Sequence, residues 1–189
     1  MGFHDFDLDG ALDLYVANYG PDRLYRNDGE LRFTEVSSEH ALGGDGWSAG
    51  VAAADFDRDG DLDLMVGNYG EVPPTLENAQ PSELYRNNGD ATFENVTHLL
   101  PPEVQTGYSF MSAWFDVDGD LYPELIVPND FGSVYPSVML QNEGGASFRI
   151  ASEVGYHYPH DGMGIVPIDL NGDDYPDWIE STFRAITAL

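Results

Sequence analysis

Along the chain, short apolar runs alternate with clusters of Gly, Asn and Asp, a pattern that fits strands and turns and no helical period. The runs Leu14 to Asn18, Leu64 to Asn68, Leu125 to Asn129 and Trp178 to Thr182 are brief and bounded by turn formers, which predicts strands. A second set, Leu24 to Asn27, Leu84 to Asn87 and Met139 to Asn142, is followed six residues past each Asn by Phe33, Phe93 or Phe148. The intervening Asn-Asp-Gly, Asn-Asn-Gly and Asn-Glu-Gly-Gly are hairpin signals, because Gly and Asn accept positive φ. Segments of small residues, Trp47 to Ala54, Tyr108 to Ala113 and Gly162 to Ile168, suit a crowded innermost strand.

These pieces recur in a fixed order around one acidic block. The block appears as Asp5 to Asp13, Asp55 to Asp63, Asp116 to Glu124 and Asp169 to Asp177, with starts 50, 61 and 53 residues apart. One unit therefore reads as strand A, acidic loop, strand B, variable loop, strand C, tight turn and strand D. That is the four-stranded antiparallel blade of a β-propeller, so the expected fold class is all-β, with three to four blades present. The units are expected near residues 1–46, 47–106, 107–160 and 161–189, in a single propeller segment. The first should hold strands B, C and D, and the last strands A and B. A β-sandwich with coincidental acidic turns would not need the same loop in every unit. The B–C loop from Tyr69 to Ser82 is the longest and the one expected to carry a specific contact.

Charge narrows the partners. With 34 acidic against 7 basic residues the net charge is -27, which repels nucleic acid and anionic membrane surfaces and calls for a cation. Of those 34 acids, 17 fall within the four loops, so the charge is focused at four points. There is no cysteine for a disulfide or a thiolate zinc site. No run approaches the ~18 apolar residues of a membrane span, and Met1 to Gly10 shows no export-signal pattern.

Carboxylates at positions 1, 3, 5 and 9 of a tight loop, with a backbone carbonyl at 7, suit a hard cation such as Ca²⁺, which takes roughly 6 to 8 oxygen ligands. The candidates are Asp5, Asp7, Asp9, Asp13 and the Ala11 carbonyl in loop one; in loop two, Asp55, Asp57, Asp59, Asp63 and the Asp61 carbonyl. Loop three offers Asp116, Asp118, Asp120, Glu124 and the Tyr122 carbonyl, and loop four Asp169, Asn171, Asp173, Asp177 and the Tyr175 carbonyl. Up to four ions are expected, one per loop. An EF-hand would need Glu at position 12 and flanking helices, whereas position 12 here is Val16, Val66, Val127 or Glu180. Mg²⁺ fits less well, since it demands near-octahedral geometry and keeps its waters. Gly10 and Gly60 at position 6, against Leu121 and Asp174, give the expectation that loop two binds tightest and loop three or four weakest.

Other candidates carry less. His157, His160 and Asp161 read as a surface loop, and Ser48 and Ser109 lie in no nucleophile-elbow pattern. The repeated Tyr25-Arg26 and Tyr85-Arg86 read as blade architecture, and Asn95-Val-Thr97 is a sequon of low specificity.

The acidic loops, the Leu-Tyr-Arg-Asn strands and the Asn-x-Gly turns before Phe resemble the FG-GAP/VCBS repeats of integrin-α-like propellers. Asp161 to Gly164 and Asn129 to Gly132 are similar to the bacterial branch associated with ASPIC/UnbV proteins. The resemblance implies a seven-bladed ring whose remaining blades lie elsewhere in a longer protein. It also implies calcium between strands A and B, an extracellular, periplasmic or cell-surface location, and roles in adhesion or ligand binding. The expected function is a non-enzymatic, calcium-binding module for a protein or glycan partner; the alternative is the propeller scaffold of an enzyme such as a polysaccharide lyase or a redox protein.

Overall fold

The computed structural model describes residues 1–39, 42, 46–71, 77, 79–154, 156–158, 161–173, 175–182 and 186–188. In the first unit, β1 (Gly2–His4), β2 (Asp13–Val16), β3 (Arg23–Asn27) and β4 (Phe33–Glu35) form one antiparallel sheet in sequence order. The second unit repeats this with β5 (Ser48–Ala54), β6 (Asp63–Asn68), β8 (Glu83–Asn87) and β9 (Phe93–Asn95), while β7 (Gln80–Pro81) pairs instead with β10 (Thr106–Gly107). The third contains β11 (Ala113–Phe115), β12 (Glu124–Val127), β13 (Ser137–Asn142) and β14 (Phe148–Ile150), with β15 (His157–Tyr158) added alongside β13. The fourth contains β16 (Gly162–Ile168), β17 (Asp177–Thr182) and β18 (Ile186–Ala188). No α-helix occurs among the described residues. The chain is an all-β assembly of propeller blades.

Three details differ from the sequence reading. Gly2–His4 pairs with Asp13–Tyr15, so the first unit has its strand A. The fourth unit has a third strand, β18. In the third unit strand A is only Ala113–Phe115, at the end of the small-residue segment rather than along it. Strands of three residues are too short for composition or alternation to mark them.

Position in the stack explains the burial pattern. Every residue of β6 and β12 is buried, whereas β2, in the first unit, alternates between buried and half-buried. The inner units are covered on both faces, which is why their strands read as continuous apolar runs. Between the first and second sheets, Phe6, Tyr15 and Leu24 pack with Leu64, Val66 and Phe93. Phe56, Met65 and Leu84 meet Leu125, Val127 and Phe148 between the second and third. Position 2 of an acidic loop thus supplies a core residue: Phe6 lies 5.7 Å from Phe93, and Phe56 lies 5.7 Å from Phe148, ring centre to ring centre. Phe6 and Phe56 are 0% exposed, while Leu170 at position 2 of loop four, with no following sheet against it among the described residues, is 51% exposed.

The small residues of strand A have a steric reason. A Cβ at Gly50 in β5 would collide with the backbone carbonyl of Phe110 in the next unit. Overpacking of this kind costs roughly 1–3 kcal/mol, so Gly50→Ala should lower the melting temperature measurably. An unchanged thermal melt would show that the inner strands are not packed this closely.

Candidate metal centres

Each acidic loop is a nine-residue connection folded back on itself by its own carboxylates. In loop one, Asp5 accepts from the amides of Asp9 (3.1 Å) and Gly10 (2.9 Å), and Asp9 accepts from Ala11 (2.7 Å). Loop two repeats this with Asp55 and Gly60 (3.1 Å) and with Asp59 and Asp61 (3.1 Å). In loop three Asp116 accepts from Gly119 (2.9 Å) and Leu121 (3.1 Å), and Asp120 from Tyr122 (2.8 Å). The turn needs two residues in the left-handed region. At position 4 these are Leu8 (φ 57), Arg58 (φ 64), Gly119 (φ 78) and Gly172 (φ 76); at position 6 they are Gly10 (φ 90), Gly60 (φ 105) and Leu121 (φ 75).

That geometry removes the backbone basis for ranking the loops. Loops one and two place Gly at position 6 and a side chain at 4; loop three does the reverse, so each of the three carries one non-glycine residue at a cost of about 1 kcal/mol. Asp174 lies outside the described residues.

The carboxylate at position 9 anchors the base. Asp13, Asp63 and Glu124 are almost completely buried. Asp63 accepts from the amides of Phe56 (3.0 Å) and Asn87 (2.9 Å), joining the loop's start to strand C. Asp13 does the same with Phe6 (3.2 Å) and Asn27 (2.9 Å). Glu124 accepts from the Val117 amide (2.8 Å) and the Gln141 side chain (2.9 Å), its extra methylene accommodated in the same place. Burial pushes the Asp63 carboxyl up to about 7, against the pull of its two amides and with Asp57 and Asp59 adding repulsion. Glu124 is likewise raised to about 7 by burial and Asp13 is also raised.

Three of the four loops gather carboxylates at positions 1, 3 and 9. Oxygens of Asp5, Asp7 and Asp13, of Asp55, Asp57 and Asp63, and of Asp116, Asp118 and Glu124 lie within 4.8 Å of one another in each group. In loop two, Asp55 Oδ1 is buried and has no hydrogen-bond partner. A hard cation among these oxygens would satisfy that atom and relieve the repulsion, so the donor set fits Ca²⁺. Asp9, Asp59 and Asp120 stand outside the triads, turned to the position-7 amides. Loop four forms no acidic triad among the described residues: Asn171 replaces the position-3 acid, and its amide donates to Asp173 (3.1 Å). There Asp169 accepts from Gly172 (2.6 Å), Asp173 from Tyr175 (2.9 Å), and Asp177 from Leu170 (2.9 Å).

The strand C residues beside the loops were not singled out from sequence as site residues. Arg86 binds Asp57 (2.6 Å), and Gln141 binds both Asp118 (2.9 Å) and Glu124 (2.9 Å). The available signal was their place directly before Asn87 and Asn142. Of the remaining candidates, Asp161 accepts from the Gly132 amide (3.2 Å), and His160 lies outside the described residues. Asn95 of the sequon accepts from the Thr97 amide (3.1 Å), forming a local turn.

Residues 5–66 match the FG-GAP-like repeat. The FG-GAP-like match covers loops one and two with the strands that follow them. No curated protein matches the chain. Among solved structures it is similar to a lectin of Agrocybe aegerita, described by its specific recognition of non-reducing terminal N-acetylglucosamine. The identity is 18%, the TM-score 0.51, and the match covers 94% of this chain and 45% of that one. The chain therefore spans less than half of that protein, and at this identity the likeness speaks for the propeller fold.

The raised carboxyls set a pH dependence. Without metal, the native state retains protons on Asp63 and Glu124 up to pH ~7, while unfolded carboxylates release theirs near pH ~4. Stability from this source is present at low pH and is lost as pH rises through ~7. Metal binding needs the ionised form, so the stabilisation by calcium should grow over the same interval. Melting curves in EDTA and in calcium between pH 5.5 and 8 should diverge with rising pH; parallel curves would contradict this assignment.

Proposed function

We propose that the chain is a calcium-binding propeller module, without catalysis of its own, that presents one face to a protein or glycan ligand. The observation that carries the calcium reading is the recurrence of three carboxylate triads in equivalent loops. The FG-GAP-like match over two of these loops supports it. Half of the acids, 17 of 34, lie in the four loops, which favours a metal-binding module over the alternative of an enzyme scaffold. Loops with three gathered carboxylates and an exposed rim suit the weak, ~10⁻⁴–10⁻³ M calcium sites of extracellular modules, which favours an extracellular, periplasmic or cell-surface setting and a role in adhesion. No helix among the described residues is long and apolar enough to cross a membrane.

The ligand face lies at the ends of the B strands remote from the acidic loops. There Tyr69 packs 5.0 Å from Trp47, 5.3 Å from Tyr108 and 4.4 Å from Phe110, and its hydroxyl donates to Asp130 (2.7 Å). Tyr19, 80% exposed, extends this group from Trp47 at 5.8 Å. Tyr69 and Tyr108 are themselves buried, so the accessible aromatic surface is Tyr19 with the half-buried Trp47 and Phe110. Beside Asp130 it suits the apolar faces and hydroxyls of a sugar, and the net charge of -27 favours neutral over anionic glycans. The likeness to a lectin supports the same direction.

At free calcium 100 times the dissociation constant, linkage gives ~2.7 kcal/mol per independent site, so calcium should raise the melting temperature and EDTA lower it. An unchanged melt after confirmed metal removal would exclude structural calcium. For the ligand face, Tyr19→Ala should weaken binding to whichever neutral glycan an array identifies without changing the melt; retained affinity would place the ligand elsewhere.

A further inference from the structure

We infer that Arg86 is a resident counter-ion of loop two, which makes that loop the weakest of the three carboxylate triads for calcium. The inference rests on the calcium reading above and concerns how the chain divides affinity among its own sites. The Arg86 guanidinium lies 2.6 Å from Asp57 Oδ2 and 5.5 Å above the Phe56 ring, with both charged side chains partly buried, at 30% and 15% exposure. It is therefore held between a triad carboxylate and the aromatic residue at position 2. A positive charge fixed at a prospective ligand satisfies one carboxylate oxygen and opposes a second cation close by.

The other two triads serve as internal controls. Arg26 occupies the equivalent strand C position in the first unit but turns to Asp28, which accepts from its Nε (3.1 Å) and Nη2 (3.0 Å). The corresponding turn residue in the second unit is the neutral Asn88, which donates to Thr92 (3.0 Å) and offers the arginine no charge. Arg86 consequently pairs with the loop. In the third unit the position is Gln141, whose amide binds Asp118 and Glu124 without a net charge. One turn residue, Asp28 or Asn88, thus decides whether the strand C arginine faces the turn or the metal loop. This reverses the order expected from glycine placement, in which loop two was the tightest.

Calcium titration by calorimetry on the whole chain tests this with three variants. Arg86→Gln imitates the third unit. Asn88→Asp imitates the first unit and draws the guanidinium away while keeping it in the protein. Each should strengthen the weakest binding step about tenfold and leave the others unchanged, the size expected for removal of one screened unit charge. Arg86→Lys, which keeps the charge, should leave the steps close to those of the wild type. In EDTA, Arg86→Gln should melt below the wild type, and saturating calcium should narrow that gap. If calcium binds but neither Arg86→Gln nor Asn88→Asp strengthens the weakest step, the counter-ion role is wrong. If the wild type and every variant fail to bind calcium, the calcium reading fails with it.

Discussion

At the base of each of the first three acidic loops a carboxylate is buried, and a buried carboxylate must be compensated or protonated. Asp63 shows how the chain meets that requirement. It takes one backbone amide from the loop's second residue and one from Asn87 at the end of strand C. The second of these contacts continues into the neighbouring unit, because the Asn87 side chain donates to the Leu62 carbonyl of its own loop (3.2 Å) and to the Phe6 carbonyl of the preceding one (2.8 Å). Asn142 repeats the arrangement with Pro123 (3.1 Å) and Phe56 (2.8 Å). The residue whose carbonyl is held in this way is also the one whose ring fills the core between sheets.

Acidic loop and core are therefore one structure. A loop that opened would free the position-2 residue from its neighbour, and a neighbour that shifted would pull on the loop. The close contact between the Gly145 turn and Asp57 belongs to the same interface, since a Cβ at Gly145 would come 2.5 Å from Asp57 Cβ. In a repeat array, stability is largely carried by such nearest-neighbour contacts. An ion at one loop would act on two sheets.

Much of this was legible in the sequence, because the four blocks, the following strands and the hairpin turns recur at fixed offsets. The spacing alone numbers the loops and points to carboxylates at positions 1, 3, 5 and 9 with a carbonyl at 7; the structure gathers positions 1, 3 and 9 in the first three loops and turns position 5 away. What was not legible depended on backbone conformation or on distant partners. Glycine at position 6 of loops one and two suggests a better turn there, whereas Leu8, Arg58 and Leu121 show that positions 4 and 6 are both left-handed in the first three loops. Gly2–His4 gave too few residues to show a strand pattern. Arg26 and Arg86 share a motif, and yet Arg26 pairs with Asp28 in the turn while Arg86 pairs with Asp57 in the loop.

The central claim is that the acidic loops and the contacts between sheets are coupled. Hydrogen exchange with and without calcium measures this most directly, since it reports local opening segment by segment. The account predicts that calcium slows exchange in the loops and also in β8, β9, β13 and β14, which pack on the preceding unit's loop. Protection confined to the acidic loops, with those strands unchanged, would contradict it.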